Sequence, residues 1–267
     1  MKILIIGGGN MGLTYAQSFL RAHITQPEDL MILERSLELA ERLRSKQIGT
    51  VYADPTACMP QADLIVFAVK PQDAPALFTS LRPHIDPQQV FLSIMAGVTI
   101  QTMTEALGVK KVIRAMPNLP AQVGMGMTAF TSSDDVTRIE LVMVQNLLNT
   151  TGKAIYVERE NAIDAATAIS GSGPAYVFYF MDAMMEAARG MGFSEPEAEL
   201  LVSQTFRGAV ELYTKTDLSC SDWISRVSSK GGTTEAAIRC YGSDAVGDKI
   251  QAGAQAALDR AVELGKR

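Results

Sequence analysis

Six residues near the start of the chain, Gly7-Gly8-Gly9-Asn10-Met11-Gly12, have the types and spacing of a phosphate-binding turn. They lie between an apolar run, Lys2–Ile6, and a helical segment from Asn10 to about Arg21. Gly7 allows the tight turn, Gly9 lets a pyrophosphate approach the backbone, and Gly12 lets the helix pack on the strand. The helix start adds free N–H groups and a partial positive charge. The G-x-G-x-x-G pattern is weak alone, but its strand and helix context predicts a dinucleotide site.

The choice between NAD(H) and NADP(H) depends on three residues at the end of the second apolar run. Glu34 lies 22 residues after Gly12, where an acidic group would bond the ribose hydroxyls of NAD. Arg35 and Ser36 follow directly and could hold the extra phosphate of NADP. In the alternative interpretation Ser36 only caps the next helix and Arg35 is solvated. We favour NADP(H) and leave NAD(H) open.

Further candidate cofactor residues follow other apolar runs. Lys70 and Pro71 end the most apolar one, Asp63–Val69, and a lysine there can meet a cofactor phosphate or ribose. Ligands of open parallel sheets bind outside the carboxyl ends of the strands, so the residues after two later runs should line the nicotinamide end. Each segment taken singly could be a plain strand-to-helix turn. The predicted cofactor residues are Gly7, Gly9, Asn10, Met11, Gly12, Glu34, Arg35, Ser36, Ala68, Val69, Lys70, Pro71, Ala96, Gly97 and Asn118.

Two segments rich in glycine and hydroxyl side chains occur in the second half of the chain. One is Ser170-Gly171-Ser172-Gly173-Pro174-Ala175-Tyr176, which is expected to break one helix and start another. The other is Ser228-Ser229-Lys230-Gly231-Gly232-Thr233-Thr234, which precedes a helix. Loops of this kind expose N–H groups and hydroxyls at a helix start, and that suits a small carboxylate. The alternative is a plain interhelical turn with Thr233 or Thr234 as its N-cap.

The elements that must position these residues change character along the chain. The first 155 or so residues alternate short apolar runs with helical stretches, which predicts an α/β fold: a doubly wound, mainly parallel sheet with helices on both faces. No convincing strand follows residue 157. Ser194 and Glu197 form a capping box that opens a helix to about Thr214. We therefore predict a dinucleotide-binding domain of Rossmann type over residues 1–159 and an all-helical domain over residues 160–267.

The helical half is rich in Met, Ala and Phe, as in Phe178-Tyr179-Phe180-Met181. Apolar side chains around several helix faces indicate that two subunits interlock here, which predicts an obligate homodimer. A self-contained helical core is the alternative.

Composition limits the remaining classes of function. The net charge is −5 and no basic stripe is visible, which argues against a duplex nucleic-acid partner. No apolar run reaches the roughly 18 residues of a membrane span, and the first apolar run is too short for a signal peptide, so we expect a cytoplasmic protein. Three scattered cysteines and two histidines make a metal site unexpected. The usual histidine acid/base is available only from the first third of the chain.

With these segments identified, the chain resembles the pyrroline-5-carboxylate reductases over essentially its full length. The glycine turn is common to many dinucleotide enzymes, but the two glycine–hydroxyl segments together are specific to this family. Leu119, Lys230 and Glu34 depart from the family pattern, and the last leaves the cofactor choice open. The matching segments, in the family's order, are Gly7–Gly12, Ala68–Pro71, Ala96–Thr99, Arg114–Asn118, Ser170–Tyr176 and Ser228–Thr234.

The resemblance implies a Rossmann domain, a C-terminal helical dimerisation domain and dimers that assemble further into rings. It implies hydride transfer from NAD(P)H to the C=N bond of 1-pyrroline-5-carboxylate, giving L-proline. Thr234 is the first candidate to deliver a proton or polarise the imine, and Tyr176 is a poorer one; water or solvent are the other sources. By motif position, the substrate carboxylate and ring nitrogen are surrounded by Ser229, Gly231, Gly232, Thr233 and Thr234.

Three competing interpretations stay open at this point. A related dehydrogenase of β-hydroxyacids would carry a catalytic lysine in the helical half, but neither Lys215 nor Lys230 has the glycine context of such a residue. A reductase of another cyclic imino acid, such as the six-membered homologue, is harder to exclude. A binding pocket discriminates between substrates that differ by one methylene by only about 1–3 kcal/mol. A non-catalytic paralogue that binds a dinucleotide should lack the hydroxyl–glycine substrate loop, which this chain keeps.

Overall fold

The computed structural model describes residues 1–265 and contains one eight-stranded sheet followed by helices. The strand order is β3-β2-β1-β4-β5-β6-β7-β8, and every neighbouring pair is parallel except β6 and β7. The predicted mainly parallel sheet is thus confirmed. The strands are β1 (Ile3–Ile6), β2 (Leu30–Leu33), β3 (Thr50–Tyr52), β4 (Leu64–Phe67), β5 (Val90–Ser93), β6 (Val112–Met116), β7 (Gly126–Ser132) and β8 (Gly152–Tyr156).

The central strands are apolar throughout because helices cover both faces of the sheet. In β1, Ile3 and Ile5 pack into one core while Leu4 and Ile6 pack into the other, and the same alternation holds along β2 and β4. Side chains of successive residues point to opposite faces of a strand, so a strand buried on both faces has no polar position. Each buried aliphatic side chain contributes roughly 1.5–3 kcal/mol, and these runs therefore fix the sheet.

The helices that flank the sheet begin where side chains can cap them. Ser36 accepts a hydrogen bond from Leu39 N, and Thr99 accepts one from Thr102 N. Thr137 forms a capping box with Glu140. The helix predicted from Asn10 to about Arg21 is confirmed. These helices are α1 (Asn10–Arg21), α2 (Leu37–Ser45), α3 (Pro55–Cys58), α4 (Ala74–Leu81), α5 (Ile100–Leu107), α6 (Arg138–Asn149) and α7 (Asn161–Ala166).

The segment after α7 was expected to break one helix, start another and expose its N–H groups and hydroxyls. The chain continues from α7 through a π-helical turn, Thr167–Gly171, in which Ser172 N donates to Thr167 O at 2.8 Å. Ser170 Oγ donates back to Ala166 O at 2.9 Å. The predicted interruption is therefore a single π-turn whose hydroxyl and N–H groups are already engaged. The expectation of exposed polar groups was wrong for this turn because these groups find partners within the helical path.

The remaining helices are α8 (Gly173–Gly190), α9 (Glu195–Thr214), α10 (Cys220–Val227), α11 (Thr233–Ser243) and α12 (Val246–Gly265). The capping box of Ser194 and Glu197 is present, as predicted. In the described residues 1–265, no helix combines the length and the apolarity that crossing a membrane requires.

The chain forms two compact units. The sheet unit holds residues 1–172 and the C-terminal segment from residue 257, and the helical unit holds residues 173–256. Helix α7 belongs to the sheet unit because its side chains bond to β6, as described below. The division into domains 1–159 and 160–267 stays a prediction from the sequence pattern.

Candidate functional site

The turn between β1 and α1 brings the backbone close to the end of β4. Gly7 has φ +100°, and a Cβ on it would lie 2.7 Å from Ala68 O. A Cβ on Gly12 would lie 1.9 Å from Gly7 O, so only glycine fits there. Gly9 has no neighbour within 4 Å of a Cβ position, which leaves open space beside the start of α1. This is the arrangement that the glycine spacing predicted.

The first turn of α1 offers unused donors. Gly9 is its N-cap and makes no side-chain cap. Among the described residues, no acceptor pairs with the N–H groups of Asn10, Met11 and Gly12, while Leu13 N donates to Gly9 O. These N–H groups and the positive end of the helix dipole suit a pyrophosphate.

A groove of about 450 Å³ opens beside this turn, at the carboxyl ends of β1, β2, β3 and β4. It is lined by seven of the predicted cofactor residues: Gly7, Gly9, Glu34, Arg35, Ala68, Val69 and Lys70. The other predicted cofactor residues do not line it: Asn10, Met11, Gly12, Ser36, Pro71, Ala96, Gly97 and Asn118. Sequence reasoning missed several lining residues, among them Ala53, Pro55 and Asp73. The first two follow β3, a strand of three residues whose polar start gave no apolar run to recognise.

Glu34 holds the glycine turn by its carboxylate. Its Oε2 accepts from Gly8 N at 2.9 Å and its Oε1 accepts from Ser36 N at 2.8 Å. The residue is only 9% exposed, and charge-assisted bonds of this kind are about twice as strong as neutral ones. Ser36 caps α2, as the alternative interpretation of that residue expected. Arg35 forms an ion pair with Asp73, with Nη2 and Oδ1 2.9 Å apart.

A buried ionic network, missed from the sequence, joins β6 to α7 and α5. Arg114 is 2% exposed; its Nη1 donates to Glu160 Oε1 at 3.0 Å and its Nη2 donates to Asp164 Oδ1 at 2.6 Å. Glu160 Oε1 also accepts from Ile100 N at 2.8 Å, at the start of α5. One signal was available: a lone arginine inside the apolar strand Val112–Met116 must find carboxylate partners to be buried.

The segments predicted at the nicotinamide end are held by close contacts. Asn118 Nδ2 donates to Ser170 O at 3.0 Å, and its Oδ1 accepts from Met127 N at 2.8 Å. Gly97 has φ +73°, and a Cβ on it would lie 3.2 Å from the backbone of Leu264. The amide of Asn118 therefore ties the end of β6 to both β7 and the π-turn.

In the helical unit, the segment Ser228–Thr234 forms a tight turn before α11. Gly231 has φ +71° and its N–H donates to Glu235 Oε2 at 2.7 Å. A Cβ on Gly232 would lie 2.4 Å from Ser229 Oγ. Both positions therefore favour glycine, for different reasons: backbone conformation at the first and crowding at the second.

The N-cap of α11 is Gly232, so neither Thr233 nor Thr234 is the cap that the alternative interpretation required. Within the described part of the chain, no acceptor pairs with the N–H groups of Thr233, Thr234 and Glu235, and the two threonine hydroxyls make no hydrogen bond. Three free N–H groups and two hydroxyls at the start of an 11-residue helix can hold a small carboxylate.

Apolar side chains of the helical unit are largely exposed on the single chain. Its buried hydrophobic residues among those described are Ala198 and Val202. A larger set of apolar side chains is at least 45% exposed: Val177, Phe178, Tyr179, Met191, Phe193, Leu200, Leu201, Val210, Leu212, Tyr213, Ile224, Val227, Tyr241 and Ile250. An apolar surface of this extent marks a protein–protein interface.

Two family models match the chain. Residues 160–264 match the model described as pyrroline-5-carboxylate reductase dimerisation, and residues 2–97 match that described as NADP oxidoreductase, coenzyme F420-dependent. The dimerisation model indicates a homo-oligomer, in agreement with the exposed apolar surface.

Curated relatives and solved structures agree with the models. The chain is 37% identical to pyrroline-5-carboxylate reductase 2 of Bacillus subtilis, covering 89% of this chain and 86% of that one. It is 34% identical to the pyrroline-5-carboxylate reductase of Corynebacterium melassecola, covering 99% and 98%.

Among solved structures, a pyrroline-5-carboxylate reductase from Coxiella burnetii superposes with a TM-score of 0.91 at 32% identity, covering 100% of this chain and 99% of that chain. The Plasmodium falciparum pyrroline carboxylate reductase, solved with NADP bound, superposes with a TM-score of 0.89 at 27% identity, covering 99% and 98%. The resemblance found in the motifs is therefore confirmed along the whole length, and the chain belongs to the pyrroline-5-carboxylate reductase family.

Proposed function

We propose that this chain reduces the C=N bond of 1-pyrroline-5-carboxylate with NADPH and releases L-proline, the last step of proline biosynthesis. The observation that best supports this proposal is the groove beside the glycine turn, where a dinucleotide can bind next to N–H groups in the first turn of α1 that are unpaired among the described residues. Full-length similarity to enzymes named for this reaction supports the choice of substrate.

The sheet unit would hold the cofactor. The N–H groups of Asn10, Met11 and Gly12 face the pyrophosphate, and Arg35 and Lys70 provide positive charge at the groove. When bound there, NADPH supplies the hydride. NADP(H) is the cofactor, in line with the NADP oxidoreductase model and the NADP-bound relative, and NADH is a second donor. Ala96, Gly97 and Asn118 stay proposed for the nicotinamide end.

The helical unit would hold the substrate. The N–H groups of the first turn of α11, with Ser229, Gly231, Gly232 and Thr233 around them, bind the carboxylate. The Thr234 hydroxyl, which makes no hydrogen bond to a described residue, polarises or protonates the imine nitrogen. A protonated imine is already electrophilic, so positioning supplies most of the acceleration. No histidine is needed for this chemistry.

We further propose an obligate homodimer formed by the helical units, with dimers assembling into a ring, and a cytoplasmic location. The exposed apolar side chains of the helical unit support the dimer. The ring follows from the resemblance alone, and light scattering of the purified protein would measure the subunit number.

The function is tested by following NADPH oxidation at the nicotinamide absorbance when 1-pyrroline-5-carboxylate is added, with NADH in parallel. Turnover with proline as product is the expected result. Absence of turnover with both cofactors, despite cofactor binding, would overturn the catalytic proposal and leave a dinucleotide-binding protein. The six-membered cyclic imino acid is run alongside, and a higher kcat/KM for it would reassign the substrate.

The role of Thr234 is tested by Thr234→Ala, for which kcat/KM should fall roughly tenfold to a thousandfold. Thr234→Ser keeps the hydroxyl and should restore most of the rate. Thr214→Ala removes a hydroxyl from the surface of α9 as a matched control. Unchanged kinetics in Thr234→Ala would remove this residue from the mechanism.

A further inference from the structure

We propose that Asp73 is a specificity-determining residue that narrows the preference for NADPH over NADH by competing with the cofactor phosphate for Arg35. This inference rests on the proposed function, because it concerns the cofactor of the same site. Three observations carry it: the engagement of Glu34, the Arg35–Asp73 ion pair, and the position of both partners in one groove.

The Glu34 carboxylate is held by the backbone around the glycine turn and cannot move toward a ribose without losing hydrogen bonds. Each of its carboxylate oxygens already accepts a backbone N–H, from Gly8 and from Ser36, and the side chain is buried. Withdrawing it would break two charge-assisted hydrogen bonds and loosen the glycine turn. Discrimination at this end of the groove therefore depends on the charged groups beside Glu34, and Arg35 is the next residue of the chain.

The backbone at Asp73 presents its carboxylate to Arg35. Pro71 opens a 3-10 turn, Pro71–Asp73, in which Asp73 N donates to Lys70 O at 2.9 Å. Asp73 occupies the N-cap position of α4, but its side chain does not cap that helix. Its carboxylate bonds the guanidinium of Arg35 instead, at 2.9 Å, and both side chains line the groove. The backbone of Asp73 is thus fixed by the turn, whereas the Arg35 side chain is 80% exposed and has room to reorient.

The consequence differs between the two cofactors. NADPH carries a phosphate on the adenosine ribose, and arginine binds such a group through two parallel N–H···O bonds. To form these two bonds, the Arg35 guanidinium must give up its ion pair with Asp73 or divide its N–H groups between Asp73 and the phosphate. The Asp73 carboxylate also repels the nearby phosphate dianion. The ribose hydroxyl of NADH needs neither rearrangement. Asp73 therefore weakens the binding of the phosphorylated cofactor selectively.

The test uses Asp73→Asn and two probes without a nicotinamide, 2′-phospho-ADP-ribose and ADP-ribose, with dissociation constants measured by calorimetry on the full-length protein. Binding of the phosphorylated probe should tighten about three- to tenfold, the range expected for releasing an exposed ion pair and removing one repulsive charge. Binding of ADP-ribose should change by less than about twofold. Asp134→Asn removes an equal charge away from this groove and is the matched control.

Arg35→Gln decides the mechanism. If Asp73 acts mainly by holding Arg35, Asp73→Asn should tighten binding of the phosphorylated probe by a clearly smaller factor in the Arg35→Gln background than in the parent, because only the direct repulsion between Asp73 and the phosphate is then relieved. An equal gain in both backgrounds would show general repulsion and overturn the competition, and so would an unchanged affinity in Asp73→Asn alone. In the reductase assay, Asp73→Asn in the otherwise unchanged protein should lower the KM for NADPH and leave kcat unchanged. Since the probes report binding without turnover, a failure of the reductase assay leaves this test intact, and a failure here leaves the reductase assignment intact.

Discussion

Arg114 is the charged residue whose removal should cost the sheet unit the most. The substitution Arg114→Met keeps an unbranched apolar stem and deletes the guanidinium, which belongs to a residue only 2% exposed and is bonded to Glu160 and Asp164. The two carboxylates are then left without their cation. Glu160 keeps its bond from Ile100 N, but the Asp164 carboxylate has no other hydrogen-bond partner among the described residues.

The magnitude follows from burial and bonding. Breaking a fully buried ion pair costs about 3–5 kcal/mol. Here the side chains of Glu160 and Asp164 are 32% and 18% exposed. Water can therefore solvate the unpaired carboxylates and reduce the loss of stability. Arg114 Nε has no hydrogen-bond partner among the described residues, and its removal also relieves an unsatisfied buried donor. We therefore expect Arg114→Met to lower the free energy of unfolding by about 2–4 kcal/mol.

The assay is urea unfolding followed by circular dichroism at one fixed protomer concentration, because association contributes to the stability of a homo-oligomer. The triple variant Arg114→Met, Glu160→Gln, Asp164→Asn removes all three charges and should regain most of the loss, to within about 1 kcal/mol of the parent. A single variant as stable as the parent would refute the reasoning. So would a triple variant as unstable as Arg114→Met, since the cost would then come from packing and not from unpaired charge.

Three further predictions follow from contacts and pKa shifts. Gly12→Ala places a Cβ 1.9 Å from the backbone oxygen of Gly7, so the glycine turn must shift and the affinity for NADPH should fall about tenfold or more. The control is Gly253→Ala, where a Cβ has no described neighbour within 4 Å, and it should leave the affinity for NADPH unchanged. Burial raises the pKa of the Cys58 thiol to about 11. Iodoacetamide at about pH 8 should therefore alkylate the exposed Cys240 and spare Cys58, as mapped by mass spectrometry. Rapid labelling of Cys58 would contradict its burial. Burial acts to raise the pKa of Glu140, but hydrogen bonds from Lys111 and Thr137 outweigh it, and the net pKa lies below 4.5. Its stabilising contribution is therefore present above that pH and lost as the pH falls through the lowered pKa, so the difference in urea midpoint between the parent and Glu140→Gln should shrink on acidification; a constant difference would refute it.

The sequence predicted well wherever a local rule is sufficient. The glycine turn at Gly7–Gly12 was predicted because close approach of a backbone leaves no room for a Cβ, and the structure shows that crowding directly. The capping box at Ser194 was predicted because its two hydrogen bonds are three residues apart. The family resemblance, confirmed by the comparisons, supplied the reaction, which no local rule contains. The roles of Thr234 and of the nicotinamide-end residues stay predictions.

Other features could not be predicted because they depend on residues far apart in the chain. The partners of Arg114 lie 46 and 50 residues away, and nothing in a local pattern names them. The π-turn at Thr167–Gly171 was expected to be a loop with exposed N–H groups and hydroxyls, because glycines and serines mark a turn in isolation. In the folded chain, the Asn118 amide accepts the bond that fixes β7 and donates one to Ser170 O.

The sequence by itself determined the alternation of strands and helices in the first half of the chain, the dinucleotide turn and the apolar character of the central strands, since these follow from spacing and burial within short windows. Only the tertiary structure decided how the charged side chains are used. Glu34, predicted as a ribose ligand, braces the glycine turn through hydrogen bonds from Gly8 N and Ser36 N, and Arg35 pairs with Asp73 in the turn after β4. Which partner an ion finds depends on distances set when the strands are placed side by side, and the order of β2, β1 and β4 in the sheet brings these loops to one edge.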